Sequence, residues 1–379
     1  MNKVYYFTNI FPHYRKPTWK AMLESEDFDL TIFCSKNNPL GIKEIKDTET
    51  EHWIKTKRIV KSKGFWLFNK ILFWQTSILS HCAFDSYNSI ILLGEMNIVS
   101  NWIGAIIAKI RSKKVIFWSH GLYGNEGFIK NLFRLTFYRL ADYHLTYEKR
   151  GRELLIEKGF NAKKIKVIYN SLDFNGQTEI YNNIKNVRDN PFDFFTDNTL
   201  PVLLFSGRLT KLKKIDLLID AFLKLNLEES VCNLLIIGDG PEKNNLIKKS
   251  DSGIKNASIF FYGSCYDENK LGSLFYDSIC TVSPGNIGLT GIHSFSYGTP
   301  VITHNNYKHQ MPEVESIVEG VNGFFFKEDD IESLIEAIVK VLNSKTDFKP
   351  NCREVIEKYY NPEYQIKVLS DLFTKQINQ

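Results

Sequence analysis

Residues 201–222 read "PVLLFSGRLTKLKKIDLLIDAF", and this stretch decides the fold class. A short apolar run stops at Gly207, a turn carries Arg208 and Lys213 five residues apart, and an amphipathic segment begins near Lys214. That order is one strand feeding one helix through a glycine turn. The unit recurs downstream in "CNLLIIGDGP" (232–241), "ASIFFYGS" (257–264), "SICTVSPG" (278–285) and "TPVITHNN" (299–306), strands that end in Gly, Ser or Asn and are separated by helical segments. It recurs upstream in "KVYYFTNI", "LTIFCS", "SIILLG", "KVIFWSHG", "YHLTY" and "IKVIYNS", interleaved with helical patterns such as "NWIGAIIAKIRSKK". Strands alternating with helices predict parallel sheets covered on both faces. Residues 172–199 are rich in Asn and Asp and hold no sustained period, which sets a boundary. The expected architecture is α/β: a Rossmann-like N-terminal domain over 1–172, a linker over 173–199, a doubly wound C-terminal domain over 200–358, and a terminal helix over 359–379. That helix is free to pack on either domain, a return to the first included.

The bulk composition agrees with a globular protein. The chain has 379 residues, 43% of them hydrophobic and 24% charged, with a formal net charge of +5. So mild a balance argues against a nucleic-acid partner, and no RNA-binding motif is present. The six cysteines lie mostly inside apolar runs with no C-x-x-C spacing, as expected of reduced thiols in a cytoplasmic protein. The short apolar N-terminus alternates like a strand and reads as no signal peptide. No apolar run reaches the roughly 20 residues of a membrane helix.

Three turns carry candidate chemistry. Gly207, Arg208 and Lys213 place two cations beside a helix start, where backbone N–H groups also favour anions. A diphosphate fits there, and so does a plain solvated basic turn. Gly238 lies in the turn "GDGP", which any strand-to-helix connection would use equally well. The third turn, "SPGNIGLTGIHSFSYGTPVITHNN" (283–306), presents Gly285, Asn286, Ile287, Gly288, Leu289 and Thr290 at a second helix start stopped by Gly298 and Pro300. Two anion sites on neighbouring strand ends point to a nucleoside diphosphate.

The ordered set "GRL…K", "IIGDGP", "FYGS", "SPGNIGLTGIHSFSYGTPVI" and "PEVESIVEGVNGFFF" resembles the C-terminal half of the retaining GT-B glycosyltransferases of family 4. The likeness is strongest over 201–345 and weaker through "FPHYRKP", "FWSHG" and "KVIYNSLD". It implies a GT-B fold, two Rossmann-like domains facing a central cleft, and transfer of a sugar from a nucleotide sugar. Arg208 and Lys213 would hold the diphosphate and serve catalysis, His120 of "FWSHG" would lie at the reaction centre, and Gly263 and Ser264 would sit near the base. Where the family has a Gly after the lysine, this chain has Lys214. Where it has two glutamates eight positions apart, this chain has Gly285 and His293. His293 then either holds the ribose in place of a carboxylate or is satisfied within the core.

On the acceptor side, His13, Tyr14 and Arg15 lie on the first strand-to-helix loop and Glu95 at another strand end. Arg15 suits a phosphate or a helix cap, and Glu95 an acceptor hydroxyl, a general base or a helix start. Residues 53–74, "WIKTKRIVKSKGFWLFNKILFW", mix six cations with aromatic residues and no acid, and "FIKNLFRLTFYRL" (128–140) is a second basic helix. Both suit an anionic membrane surface, or a helix docked in the core with a basic rim. The overall expectation is a transferase for surface polysaccharide such as O-antigen or capsule, acting on a glycan or lipid-linked glycan at the inner membrane face. No metal and no cofactor are expected, since no D-x-D or His/Cys cluster is placed to hold a metal and two cations can neutralise the phosphates. The alternative is a binding subunit without catalysis, motivated by the two missing carboxylates.

Overall fold

The computed structural model describes residues 1–12, 15–36, 47–69, 71–124, 127–186, 190–228, 230–251 and 259–374. His13 and Tyr14 lie outside the described residues, as does Lys70. The chain divides into two units, Met1–Asp173 with Pro362–Gln379, and Phe174–Asn361.

The first unit is a seven-stranded sheet. Its strands are β1 (Asn2–Thr8), β2 (Phe28–Ser35), β3 (Ile59–Ser62), β6 (Ser89–Leu93), β7 (Lys114–Ser119), β8 (Tyr143–Thr146) and β9 (Ile165–Val167), with a separate antiparallel hairpin of β4 (Gly64–Leu67) and β5 (Leu72–Gln75). The order is β3-β2-β1-β6-β7-β8-β9 and every neighbouring pair is parallel. Consecutive side chains of β1 explain why it reads as an unbroken apolar run. Val4 and Tyr6 pack with Trp19, Trp118 and Phe373 on one face, while Tyr5 and Phe7 pack with Phe33, Tyr87 and Phe117 on the other. A strand covered by helices on both faces has no polar side to alternate with.

The second unit repeats the plan with β10 (Val202–Ser206), β11 (Asn233–Ile237), β12 (Ile259–Gly263), β13 (Cys280–Ser283), β14 (Val301–His304) and β15 (Gly323–Phe326), in the order β12-β11-β10-β13-β14-β15. Again every pair is parallel. The chain winds outward in one direction from β10 and in the other from β13, so the strand order reverses between them. Connections leave that point on opposite faces, and a crevice opens at the carboxyl ends. The same reversal lies between β1 and β6 in the first unit.

Two expectations need correction. The stretch 173–199 is no linker: Phe174–Asn186 is a helix, and Phe192 and Phe195 are buried in the core of the second unit with Val202, Leu204 and Tyr297. Its Asn-rich composition hid three aromatic anchors, of which Phe194 stacks on Phe260 at 4.2 Å. Expected aromatic exposure in 53–74 is also only partial. Trp53 and Phe73 are buried, because the hairpin and the preceding helix turn them inward, while Phe65 and Phe68 remain exposed.

The terminal helix begins at Pro362 and packs in the first unit, where Leu369, Leu372 and Phe373 join the cluster around Val4 and Trp19. Gln365 locks it there, its amide donating to the Tyr169 carbonyl at 2.8 Å while its oxygen accepts from Ser171 Oγ at 3.1 Å.

Candidate functional site

In the second unit the turns after β10 and β13 meet at the strand-order reversal. Lys211–Lys213 forms one 3-10 turn and the helix Ile215–Leu225 follows. Lys213 Nζ donates to the Asn286 carbonyl at 2.7 Å and to Asn286 Oδ1 at 2.9 Å. It has no carboxylate within salt-bridge distance among the described residues, and burial pushes its pKa down against the opposing pull of Glu313. A half-buried ammonium held by two neutral oxygens is a cation waiting for an anion. Arg208 is exposed and makes no ion pair with any described residue. Close approach explains two glycines. A Cβ on Gly285 would stand 2.1 Å from the Leu212 carbonyl oxygen, and one on Gly238 would stand 1.9 Å from that of Gly207.

Lys214 takes the left-handed conformation, φ 49°, that a glycine would adopt without strain. In exchange its ammonium pairs with Glu328 at 2.9 Å and Asp329 at 2.6 Å, bonds a glycine cannot make.

The helix Leu289–Ser296 starts beside Asn286 with Gly288 as its cap and no side chain satisfying its first amides. Gly288, Leu289 and Thr290 therefore present uncapped N–H groups to an anion, and Thr290 Oγ1 ties this helix to β10 through the Ser206 carbonyl at 3.1 Å. Ile287 departs from expectation. Its side chain is fully buried and its N–H is taken by Gln310 Oε1 at 2.8 Å, so it shapes the loop and offers no donor. Gln310 braces the loop further through Thr303 Oγ1 and the His304 carbonyl, a role that no local pattern announced.

His293 is neither free nor held by a core carbonyl. Its Nε2 lies 2.8 Å from Glu268 Oε1, and that oxygen also accepts from Tyr297 OH at 2.9 Å and Gln177 Nε2 at 2.9 Å. Burial opposes ionisation of Glu268, yet the His293 bond and charge, with Gln177 and Tyr297, hold its pKa down to about 2. A carboxylate thus stands beside the position where the family motif would have its second glutamate, supplied by another helix.

A pocket of about 510 Å³ opens at the ends of β10, β11 and β12, lined by Gly207, Arg208, Gly238, Ser264 and Tyr266 among others. Gly263 sits at its back, accepting from the Gly238 amide at 2.8 Å. Tyr266, 82% exposed, gives this pocket a flat aromatic wall that sequence reasoning overlooked. Lys213 and His293 are not among its lining residues.

The first unit has its own pocket, about 480 Å³, at the ends of β6 and β7. Glu95 and His120 line it together with Trp118, Tyr123, Lys130, Arg134 and Tyr147. Solvent reaches Glu95 from the mouth, while the crowded walls raise its pKa and Arg134 offsets part of that rise. Its carboxylate makes no hydrogen bond to a described residue. Burial, aided by the Arg15 and Arg134 charges, pushes His120 down to about 4, and its Nδ1 is buried without a partner among the described residues. The ring is therefore neutral at physiological pH. Arg15 caps no helix through its side chain. Its guanidinium lies over Trp19, Trp118 and Tyr147 at 5.4 to 5.9 Å and donates to Asn170 Oδ1 at 3.2 Å.

Residues 186–372 match the family described as glycosyl transferases group 1. The chain carries a group 1 glycosyltransferase domain. Over 390 residues this glycosyltransferase is 24% identical to an uncharacterized glycosyltransferase of Methanocaldococcus jannaschii, covering 95% of this chain and 93% of that one. Over 207 residues it is 27% identical to an uncharacterized 41.2 kDa protein in the cps region of Klebsiella pneumoniae, 52% of each chain. Among solved structures it is similar to the lipopolysaccharide outer core galactosyltransferase WaaB in its apo form, TM-score 0.71 at 18% identity, covering 99% and 100% of the two chains. It is also similar to Anabaena HepE in complex with UDP-glucose, TM-score 0.62 at 13% identity, again covering 99% and 100%. The fold of the two Rossmann-like halves is GT-B.

Proposed function

We propose that this glycosyltransferase moves a sugar, with retention of configuration, from a UDP- or GDP-linked donor to a glycan acceptor in bacterial surface polysaccharide assembly. The observation that carries this reading is Lys213, an ammonium with no ion pair among the described residues, set at the strand-order reversal beside the uncapped helix Leu289–Ser296. A donor diphosphate supplies the missing charge. During transfer the bond from the sugar C1 to the diphosphate oxygen breaks while a bond from C1 to an acceptor oxygen forms on the same face. The acceptor proton goes to a nearby base. Negative charge grows on the leaving group, and Lys213, Arg208 and the helix amides are the donors proposed to meet it. These cations stand in for a divalent metal. The neutral His120 and the raised carboxylate of Glu95 suit acceptor hydroxyls, with Glu95 as the proton acceptor. HepE supports a uridine nucleotide, and the Klebsiella relative supports a role in capsule.

One observation favours a subunit that only binds nucleotide sugar: Gly285 replaces the family's first glutamate at a point where no Cβ fits. Incubating the full chain with UDP-, GDP- and dTDP-sugars, with and without glycan acceptors, separates the two. Slow nucleotide release from one donor, accelerated by an acceptor, is expected. Binding with no release in any combination overturns transfer.

A further inference from the structure

The helix Phe128–Tyr138 is apolar on two sides. Phe137 and Tyr138 face the core of the first unit, where Phe137 meets Phe117 at 4.4 Å. On the opposite side Phe128, Ile129, Leu132 and Phe133 are 85%, 70%, 55% and 60% exposed. A second helix, Val99–Ile110, runs alongside, its Trp102 contacting Phe137 at 4.7 Å. It turns Ile103, Ile106 and Ile110 outward at the i, i+3, i+7 spacing of a single stripe. Val99, Trp102, Leu132, Phe133 and Thr136 line a groove that joins the two stripes into one apolar surface. A contiguous patch of this kind marks something that covers it.

The charges around the patch identify the cover. Residues 127–139, "GFIKNLFRLTFYR", hold three cations and no acid. Lys130 and Arg139 make no ion pair with any described residue. We infer that this face docks on an anionic lipid leaflet, with the apolar side chains in the acyl boundary and the cations at the phosphates. Among the described residues no helix is long and apolar enough to cross a membrane, so the attachment lies in the interface plane.

The placement has a consequence for the substrate. Lys130 and Arg134 of this same helix line the pocket that holds Glu95 and His120, and Ile71, 65% exposed, stands on its wall. The lipid surface therefore meets the rim of that pocket, and its ligand is a glycan anchored in the membrane by an apolar tail. This last step rests on the proposed transfer reaction, whereas docking itself does not.

Flotation of the full chain with phosphatidylcholine vesicles, with and without 30 mole per cent phosphatidylglycerol, tests the docking without any sugar donor present. Expected are binding to the anionic vesicles that weakens as salt rises, and a loss of roughly tenfold or more in Phe128→Glu with Phe133→Glu. Both side chains are exposed and outside either pocket, so UDP affinity in the double variant is expected to be unchanged. Equal binding to uncharged vesicles, binding that the double variant leaves intact, or no vesicle binding at all each overturns the inference. Concentration-dependent self-association that the variant abolishes, with no flotation, overturns it in favour of a second copy as the cover. Failure of sugar transfer with intact flotation would instead overturn the proposed reaction alone.

Discussion

Replacing Lys213 by alanine tests the donor site most directly. Among the described residues the wild-type ammonium makes two hydrogen bonds, both to Asn286, and is half-buried with no carboxylate partner. Removing it from the unliganded protein leaves two acceptor oxygens on a loop that water reaches, so the fold loses only about 0.5 to 1.5 kcal/mol. Removing it from the complex deletes a charged hydrogen bond to the diphosphate, about 1.5 to 3 kcal/mol, which weakens nucleotide binding roughly 10- to 150-fold. Titration calorimetry with UDP and GDP, beside a thermal melt of the unliganded chain, reads the two effects separately. The pH dependence supplies a second handle. Burial lowers the Lys213 pKa, so binding that needs the ammonium is complete below that lowered value and declines as pH rises through it. In Lys213→Arg the guanidinium stays charged and the decline disappears. Unchanged affinity in Lys213→Ala, with Arg208→Ala equally silent, would refute the diphosphate assignment.

Three other perturbations probe the surrounding structure. Glu268→Gln removes a carboxylate whose folded pKa is lowered to about 2, so its stabilisation is present above the ordinary carboxylate range and lost as pH falls toward 2. Because the side chain is 37% exposed, solvent screens the pair, and we expect the wild type to lead the variant by about 1 to 2 kcal/mol at pH 7 and by little at pH 2.5, read by denaturant melts. Gly285→Ala forces a Cβ against the Leu212 carbonyl and is expected to cost about 1 to 3 kcal/mol, whereas a Cβ at Gly288 meets nothing nearer than 3.9 Å; equal melting points for the two variants would contradict the close approach. Glu95→Gln is expected to lower the transfer rate about 100-fold or more with nucleotide affinity unchanged, and to abolish a rise in rate with pH through the elevated Glu95 pKa, as measured by steady-state kinetics.

Much of this arrangement is legible along the chain. Each strand carries an apolar run and most turns a Gly, Ser or Asn, because a βα unit is built from local pattern and backbone geometry. Arg208 and Lys213 are legible for the same reason, lying within one turn. The His293 and Glu268 pair is not, since its members come from two helices 25 residues apart. Tyr266 and Gln310 escaped notice because their roles depend on a neighbouring strand end and a neighbouring loop. The reading of 173–199 as a linker failed on composition: three phenylalanines outweigh a run of Asn and Asp once a core is available to receive them. In 53–74 the same basic and aromatic residues divide between core and surface, because a hairpin alternates its faces.

The amino-acid order alone specified two parallel α/β halves and a pair of cations suited to a diphosphate, since hydrophobic periodicity and turn chemistry act within a few residues. Tertiary structure decided which groups those cations face, which carboxylate accompanies His293, and which side of the helix Phe128–Tyr138 meets solvent. These depend on strand order and on which helix packs against which, and burial and charge pairing across such distances exist only once the chain has folded.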